Sequence, residues 1–384
     1  MILASERYTG GEIRQTTIGG QALIEGLMMM GPEKCALSVR LQNGLIYREE
    51  KPAPNFGRAG RVPFVRGSVR LFRQLFIGMK ALTRSADLAE LEGPEADRLP
   101  LENLYRTATE QAESAEVDAV AQGGMGQANT EAKADLPAGS SQQVGETAPV
   151  VALNREEGQA GVTAASGKSK SQDWLYGLAM AVGAVAGIAL FMFLPNLIVT
   201  GIKLLAGGEA DGFTASLAYN LLEGLVRIAV LLGYMWLTSL SKDIARTWQY
   251  HGAEHKTIAC YEHGLPLTIA NVRACSRFHP RCGTSFLFLV VIISSLLFSL
   301  FGWHAAWLNI LIRLALIPVV VGISFELQRY SGSRVDRPLG RLITRPGLWL
   351  QRLTTREPDD AIIETAINAM LAVLPATAGA DDWN

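Results

Sequence analysis

Four apolar segments, each about twenty residues long or longer, constrain the fold of this chain more than any other feature. They run over residues 174–205, 213–240, 284–303 and 306–327. A helix needs roughly 20 apolar residues to cross the hydrocarbon core of a bilayer. With 49% hydrophobic and only 18% charged residues, the chain is also too apolar for an average soluble domain. The sequence therefore predicts an α-helical polytopic membrane protein with about four transmembrane helices.

Basic residues are distributed unevenly among the connections between these segments. Six lysines and arginines lie in the loop 241–283, and seven arginines lie between residues 328 and 356. The two other connections carry almost none, so the positive-inside rule predicts a multi-pass protein of the inner (plasma) membrane with both termini cytoplasmic. The net charge of −1 gives no general attraction to nucleic acid. The predicted partner is the lipid bilayer.

The rest of the chain divides by composition into further units. An N-terminal β-rich element is expected over residues 1–60, because apolar runs flank the dipeptide Asn43-Gly44, a strong hairpin signal. A basic amphipathic helix follows over 61–89, with alternative positions in the membrane interface or against the protein's own helices. The remaining units are a disordered linker over 90–170, a membrane domain over 171–330 with a cytosolic histidine loop over 241–283, and cytosolic C-terminal amphipathic helices over 331–384.

Four of the five histidines lie in or near the loop that follows the second apolar segment, within residues 250–283. His251 and His255 are four residues apart, so on a helix they share one face with Glu254 beside them. This spacing matches the His-x-x-Glu-His pattern of metallopeptidases in which both histidines bind zinc. The alternative is a solvated helix beside the membrane, whose polar side chains form hydrogen bonds and bind no metal.

The third ligand of such a site has three candidates in the sequence: His279, Cys282 and Glu326. Each is expected at the membrane surface near the histidine pair, and the sequence does not choose among them. The expected cofactor is a divalent transition metal such as zinc. Glu254 is then the predicted catalytic base that activates water for hydrolysis. The four cysteines show no disulfide spacing and are expected to be reduced thiols.

Three further charged residues are candidates for function. Glu25 lies in the glycine-rich stretch 19–32, which suits either a ligand-binding loop or a tight turn leading into the hairpin. Glu223 and Arg227 lie within the second apolar segment, one helical turn apart in the favourable order for an ion pair. Charges at that depth usually face the interior of a helix bundle, so they form either a functional site or a structural pair.

Several long motifs in this chain resemble the YqhQ-like family of bacterial membrane proteins. The motifs are Gly-Gly-Gln-Ala-Leu-Ile-Glu-Gly at 19–26, Tyr-His-Gly-Ala-Glu-His-Lys at 250–256, His-Pro-Arg-Cys-Gly-Thr-Ser-Phe at 279–286, Gly-Ile-Ser-Phe-Glu at 322–326, and the run from Pro346 to Asp360. The resemblance covers nearly all of the chain outside the linker. It implies a membrane protein of unknown function from a family described as predicted metal-dependent enzymes.

Three functions follow as alternatives. The favoured one is a metal-dependent enzyme, a hydrolase with a cytosolic His/Glu site beside the membrane, acting on a lipid-like or membrane-protein substrate. The second is a non-catalytic membrane scaffold or assembly factor, in which the same side chains brace the loops. The third is a transporter that uses Glu223, Arg227 and Arg313 along a pathway.

Overall fold

The computed structural model describes residues 14–57, 59–91, 99–100, 103–105, 178–179, 181–183, 185–187, 189–207, 212–301, 304, 306–377 and 379–382. Its strands are β1 (Gly19–Leu23), β2 (Gly26–Met30), β3 (Lys34–Arg40), β4 (Ile46–Pro52) and β5 (Leu104–Tyr105). Its helices are α1 (Val65–Ala89), α2 (Leu194–Leu205), α3 (Phe213–Thr238), α4 (Lys242–Glu262), α5 (Ile269–Ala274), α6 (Gly283–Ser299), α7 (Ala306–Gly332), α8 (Pro338–Thr354) and α9 (Asp360–Val373). A π-helical turn, Ala189–Phe193, leads into α2.

The predicted N-terminal β element is an antiparallel sheet with strand order β1-β2-β3-β4-β5. The turn around Asn43-Gly44 joins β3 to β4 as expected, and Gly44 has a positive φ of 86°. The stretch around Glu25 forms a second tight turn, between β1 and β2, where Glu25 itself has a φ of 50°. The sequence suited either a ligand-binding loop or a tight turn here, and in the structure Glu25 lies in a tight turn.

Helices cover both faces of this sheet, so that it forms the middle of three layers. On one face, Leu27, Met29 and Ala36 pack with Tyr250 of α4 and Ile362 of α9. Side chains that alternate with these along the strands, such as Met28 and Leu37, pack on the other face with Ala81 and Leu88 of α1. Strand β2 is buried on both faces, which explains its uninterrupted apolar sequence. The sheet thus fixes α4 from one side.

Helix α1 packs against the protein and also exposes an apolar face. A Cβ built on Gly67 would lie 2.7 Å from Cβ of Phe325, so α1 and α7 approach closely there. Nevertheless Phe72, Leu75, Phe76 and Leu82 are exposed. The two alternative positions predicted for this helix are therefore compatible with each other, because one face packs and another is free to meet a membrane.

Three described helices are long and apolar enough to cross a bilayer: Ala181–Leu205, Thr214–Thr238 and Trp307–Gly332. The remaining predicted span corresponds to α6, whose 17 residues extend about 26 Å at 1.5 Å per residue. Hydrocarbon cores are about 30 Å thick, so α6 is slightly short for a full crossing. The ends of two predicted spans, residues 174–177 and 302–303, lie outside the described residues.

The predicted linker over 90–170 falls mostly outside the described residues. The structure differs from that prediction at Leu104 and Tyr105, which form β5 and pair with Tyr47 and Ile46 at the edge of the sheet. Both residues are buried, and Tyr105 accepts a hydrogen bond from Arg48 at its hydroxyl. Two apolar residues within a polar segment are too short a pattern to predict a strand, because their stability comes from a distant partner.

Candidate metal centre

Helix α4 carries the central motif and is held tightly at the position of the two histidines. Tyr250 is fully buried, and the backbone N–H of Arg356 donates to the carbonyl of Trp248 at 2.9 Å. A Cβ built on Gly252 would collide with the carbonyl oxygen of Arg356. Glycine at position 252 therefore lets the chain that follows α8 pass directly over α4, beside His251.

His251 lies between the end of α8 and the beginning of α6. Its Nδ1 lies 2.7 Å from the carbonyl oxygen of Thr354, one of the terminal carbonyls that a helix leaves unpaired. Because a carbonyl can only accept, Nδ1 carries a proton, so Nε2 is the nitrogen that has a lone pair when the ring is neutral. That Nε2 lies 3.2 Å from Sγ of Cys282, the residue that caps the N-terminus of α6.

His255 has the same arrangement one helical turn further on. Its Nδ1 lies 2.6 Å from the carbonyl oxygen of Arg277, which again fixes the proton on Nδ1. Its Nε2 is buried and makes no hydrogen bond of normal length within the described residues, although His255 lies close enough to Cys282 to help lower the pKa of that thiol. The two imidazole ring centroids lie 4.4 Å apart. A buried nitrogen without a partner is costly, and a ligand would satisfy it.

These three side chains fit the requirements of a transition-metal site. One ligand atom from each of His251, His255 and Cys282 lies within 4.8 Å of the others. Donor atoms about 2.0–2.3 Å from a tetrahedral zinc ion lie about 3.3–3.8 Å apart, so small rotations would close the site. Metal-ligating histidines typically donate their other N–H to a carbonyl, as both do here. A thiolate with two imidazoles is a donor set that zinc accepts.

Electrostatic interactions favour a thiolate at Cys282. Burial raises the pKa of this thiol, but the nearby His255 and His251 more than offset that effect, so its pKa lies well below the ordinary value. The N-terminus of α6 acts in the same direction, because a helix N-terminus favours negative charge. Burial lowers the pKa of His251, but the Cys282 thiolate outweighs it and raises the pKa to about 9. Without metal, the pair is therefore a thiolate and an imidazolium.

Glu254 is a buried carboxyl group close to these ligands. Its Oε1 accepts a hydrogen bond from the backbone N–H of Gly20 in β1 at 3.0 Å. Burial raises the pKa of Glu254 above its usual range, although His251 and His255 act in the opposite direction. A carboxyl group with a raised pKa holds a proton more readily than an exposed one, which suits an acid–base role.

His279 belongs to a neighbouring ion network. Its Nε2 lies 3.2 Å from Oε2 of Glu262, and Arg281 pairs with the other oxygen of the same carboxylate. Although burial raises the pKa of Glu262, His279 and Arg281 outweigh it, so the pKa lies below its usual range. The ring of His279 is 5.8 Å from that of His255, so this network borders the candidate ligands.

Two more of the predicted carboxylates, Glu326 and Glu25, are bound elsewhere. Glu326 accepts a hydrogen bond from Nε of Arg66 at 2.7 Å and another from the backbone N–H of Phe64. Glu25 pairs with Arg246 and accepts a hydrogen bond from the hydroxyl of Tyr250 at 3.4 Å. Glu326 therefore ties α7 to α1, and Glu25 ties the β1–β2 turn to α4. Of the three candidates for the third ligand, the structure brings Cys282 to the histidines.

Glu223 and Arg227 form the ion pair that their spacing predicts, and Arg313 of α7 joins it. Oε1 of Glu223 accepts from Arg227 and from Arg313, each at 2.6 Å. Arg227 also donates to the carbonyl of Phe191 in the π-helical turn and to the hydroxyl of Ser294. This buried triad connects the apolar helices through polar contacts.

Some residues that build the centre carry no chemical signature in the sequence. Thr354 and Arg277 contribute backbone carbonyls, which any residue type would supply. Lys256 donates to the carbonyls of Arg273 and Cys275 and so holds the loop that presents Arg277. Gln351 makes paired hydrogen bonds with the backbone of His279. The motifs 250–256 and 346–360 contain Lys256, Gln351 and Thr354, and this clustering was the available signal.

The fold and the centre define a mainly helical protein with apolar helices compatible with a membrane and a His/His/Cys ligand group. The chain belongs to the family described as "Protein of unknown function (DUF1385)", which matches residues 62–376. It is 41% identical over 191 residues to "Uncharacterized protein YqhQ" of Bacillus subtilis (strain 168), a match that covers 50% of this chain and 60% of that relative. The YqhQ-like resemblance is thereby confirmed. No solved structure matches the chain.

Proposed function

We propose that this protein is a multi-pass membrane protein that holds a divalent transition metal, such as zinc, on His251, His255 and Cys282 and hydrolyses a substrate beside the bilayer. Glu254 is the proposed acid–base residue. The observation that carries the proposal is that one ligand atom from each of two histidines and a cysteine lies within 4.8 Å of the others.

The residues of the centre have distinct tasks in this proposal. Thr354 and Arg277 hold the imidazole rings in the tautomer that presents Nε2. Cys282 supplies a negative charge to the donor set. Glu254, held by the N–H of Gly20, accepts a proton from water as the bond to the substrate forms and returns it to the leaving group. When bound, the metal supplies Lewis-acid chemistry at the bond to be hydrolysed.

The membrane placement is supported by an inverted distribution of polar and apolar side chains. The apolar helices expose Leu225, Trp236 and Leu311 and bury Glu223 and Arg313. A surface of this kind suits lipid, while charges within a membrane face the bundle interior. The excess of arginine and lysine in the loop 241–283 and after residue 328 favours a cytoplasmic location for the centre. The proposed location is the inner (plasma) membrane.

A structural metal site in a membrane scaffold is the second candidate. The observation that favours it is burial, since Glu254, His255 and Cys282 are all buried. Structural zinc sites are closed, whereas catalytic ones keep a position open for substrate. The centre also joins α4, the end of α8 and the start of α6, so a metal there would hold three separate parts of the chain together.

Metal content of detergent-purified protein, measured by mass spectrometry after preparation with reductant and without chelator, tests the site. Wild type is expected to hold about one equivalent of a transition metal. His251→Ala, His255→Ala and Cys282→Ser are each expected to lose it. His304→Ala and Cys260→Ser are matched controls and should retain the metal, because these residues lie outside the ligand group. Metal-free, folded wild type that also fails to take up added zinc would overturn the proposal.

Glu254→Gln separates the enzyme from the scaffold. This variant should keep its metal, since Glu254 is outside the three-residue ligand group. In the enzyme, wild type hydrolyses at least one of a set of chromogenic ester, phosphodiester and peptide probes, and the variant loses that activity. In the scaffold, wild type hydrolyses none of them, and removal of the metal lowers the thermal unfolding temperature of both proteins.

A further inference from the structure

A groove of about 610 Å³ opens at the end of α7, apart from the metal centre. Arg66 of α1 and Glu326 of α7 form one wall. The remaining lining comes from the last turn of α7 and the connection to α8, namely Arg329, Tyr330, Ser333, Arg334, Asp336 and Arg337. The groove therefore lies where a membrane-compatible helix meets the polar part of the chain.

The lining of this groove carries an excess of positive charge. Four arginines and two acids line it, and Glu326 is already paired with Arg66. Arg70 lies close to this cluster, because burial and then the charges of Arg66 and Arg329 lower its pKa. Arginine forms paired hydrogen bonds with the oxygens of a phosphate group, so an excess of guanidinium groups favours such an anion.

Aromatic and hydroxyl groups complete the lining. The guanidinium carbon of Arg334 lies 4.4 Å from the ring centroid of Tyr330, and its Nη1 donates to the hydroxyl of Ser333 at 3.2 Å. Tyrosine is enriched where a membrane helix meets the headgroup layer. These contacts hold one arginine in a defined orientation at that level, which reduces the entropy lost when an anion binds.

The helices on both sides of the groove expose apolar side chains together with basic ones. On α1, Phe72 and Phe76 are exposed near Arg73 and Lys80. On α8, exposed apolar and basic positions likewise share one face, comprising Leu339, Arg341, Leu342, Arg345, Trp349 and Arg352. Helices of this composition lie in a membrane interface, with apolar groups among acyl chains and arginines at phosphates. The groove is thus continuous with apolar surface on two sides.

We propose that this groove binds the phosphate headgroup of an anionic phospholipid, with the acyl chains along the exposed apolar faces of α1 and α8. The inference depends on the proposed membrane placement but not on the metal. A lipid accounts for the basic lining and the adjoining apolar surface together, whereas free phosphate accounts for the lining alone. Basic pockets between membrane helices on the cytoplasmic side are typical headgroup sites.

Native mass spectrometry of the full-length protein in detergent tests the site. The lipids are phosphatidylglycerol and phosphatidylcholine with identical acyl chains. Wild type should bind phosphatidylglycerol more tightly than phosphatidylcholine. Each arginine near a membrane surface contributes roughly a fivefold gain in affinity, so Arg334→Gln with Arg337→Gln should weaken phosphatidylglycerol binding about 25-fold. The control pair is Lys34→Gln with Lys51→Gln, which removes the same charge from exposed positions on the sheet, outside the groove lining, and should retain most of the binding.

Three outcomes would overturn the inference. Equal binding of the two lipids would show that the negative charge of the headgroup does not contribute to binding. An equal loss in the control pair would show attraction to basic charge in general. Displacement of phosphatidylglycerol by millimolar inorganic phosphate would identify a soluble anion as the ligand. Metal content and membrane extraction, measured on the same preparations, show separately whether the metal centre or the membrane placement has failed.

Discussion

The carbonyl oxygen of Arg356 occupies the space where Gly252 would carry a side chain. This contact brings the end of α8 over α4 and sets the distance between Thr354 and His251. We therefore expect Gly252→Ala to destabilise the protein by about 1–3 kcal/mol, the usual range for overpacking. It should also weaken metal binding, because the Thr354 carbonyl would move away from Nδ1 of His251.

Thermal unfolding and metal content of Gly252→Ala check this expectation. Gly233→Ala is the control, since a Cβ there would have open space around it, within a helix where alanine is favoured. Unchanged stability and metal content in Gly252→Ala would contradict the close approach of α4 and residue 356.

Gly20 gives a second test of packing around the centre. A Cβ there would lie 2.8 Å from the Met28 carbonyl oxygen and 3.0 Å from Cδ of Glu254. Gly20→Ala should therefore lower the free energy of unfolding by about 1–3 kcal/mol. Adding Glu254→Ala should recover part of this loss, because one of the colliding groups is then absent. Gly19→Ala has open space and should change little; strictly additive effects of the first two substitutions would argue against the contact.

The triad of Glu223, Arg227 and Arg313 predicts an asymmetry between two substitutions. Glu223→Gln leaves two buried guanidinium groups without their shared counter-ion, and breaking a buried pair in this way typically costs about 3–5 kcal/mol. Arg313→Gln leaves the Glu223–Arg227 pair balanced and should cost less. Unfolding in detergent measures both losses. Equal losses of stability would mean that the Glu223 carboxylate is not the counter-ion of both arginines.

Glu262 predicts a stability effect at acid pH. Its folded-state pKa is below the unfolded value of about 4.3, so the ionised form stabilises the fold. This contribution is fully present above the unfolded pKa and is lost as pH falls through the lower, folded-state pKa. Glu262→Gln should therefore be less stable than wild type at pH 7, and the difference should shrink below about pH 4.

Thermal unfolding of both proteins between pH 7 and pH 3 measures that difference. Glu33→Gln removes an exposed carboxyl and controls for the change in net charge. A gap between wild type and Glu262→Gln that stays constant through this interval would show that the carboxylate gains nothing from His279 and Arg281.

The sequence predicted the parts of this protein that depend on local patterns. Apolar length located the three long helices, Asn43-Gly44 located a hairpin, and the four-residue spacing placed His251 and His255 on one face of α4. The third member of the ligand group was one of three candidates. Only tertiary packing shows that Cys282 meets the histidines while Glu326 meets Arg66.

Other features could not be predicted from the sequence, for a physical reason. The carbonyls of Thr354 and Arg277 orient the imidazoles, but every residue type has the same backbone carbonyl, so residue identity does not reveal this role. Likewise, β5 is two residues long and is stabilised by β4, about sixty positions earlier. The basic groove also assembles from α1 and α7, which are far apart in the chain.

Strand β5 has a consequence for how the chain can vary. Because the chain leaves the sheet at β4, forms α1 and returns at β5, strand pairing holds the chain both before and after α1. Insertions or deletions after Tyr105 therefore change the number of residues before the first long apolar helix without removing any strand pairing of the N-terminal sheet.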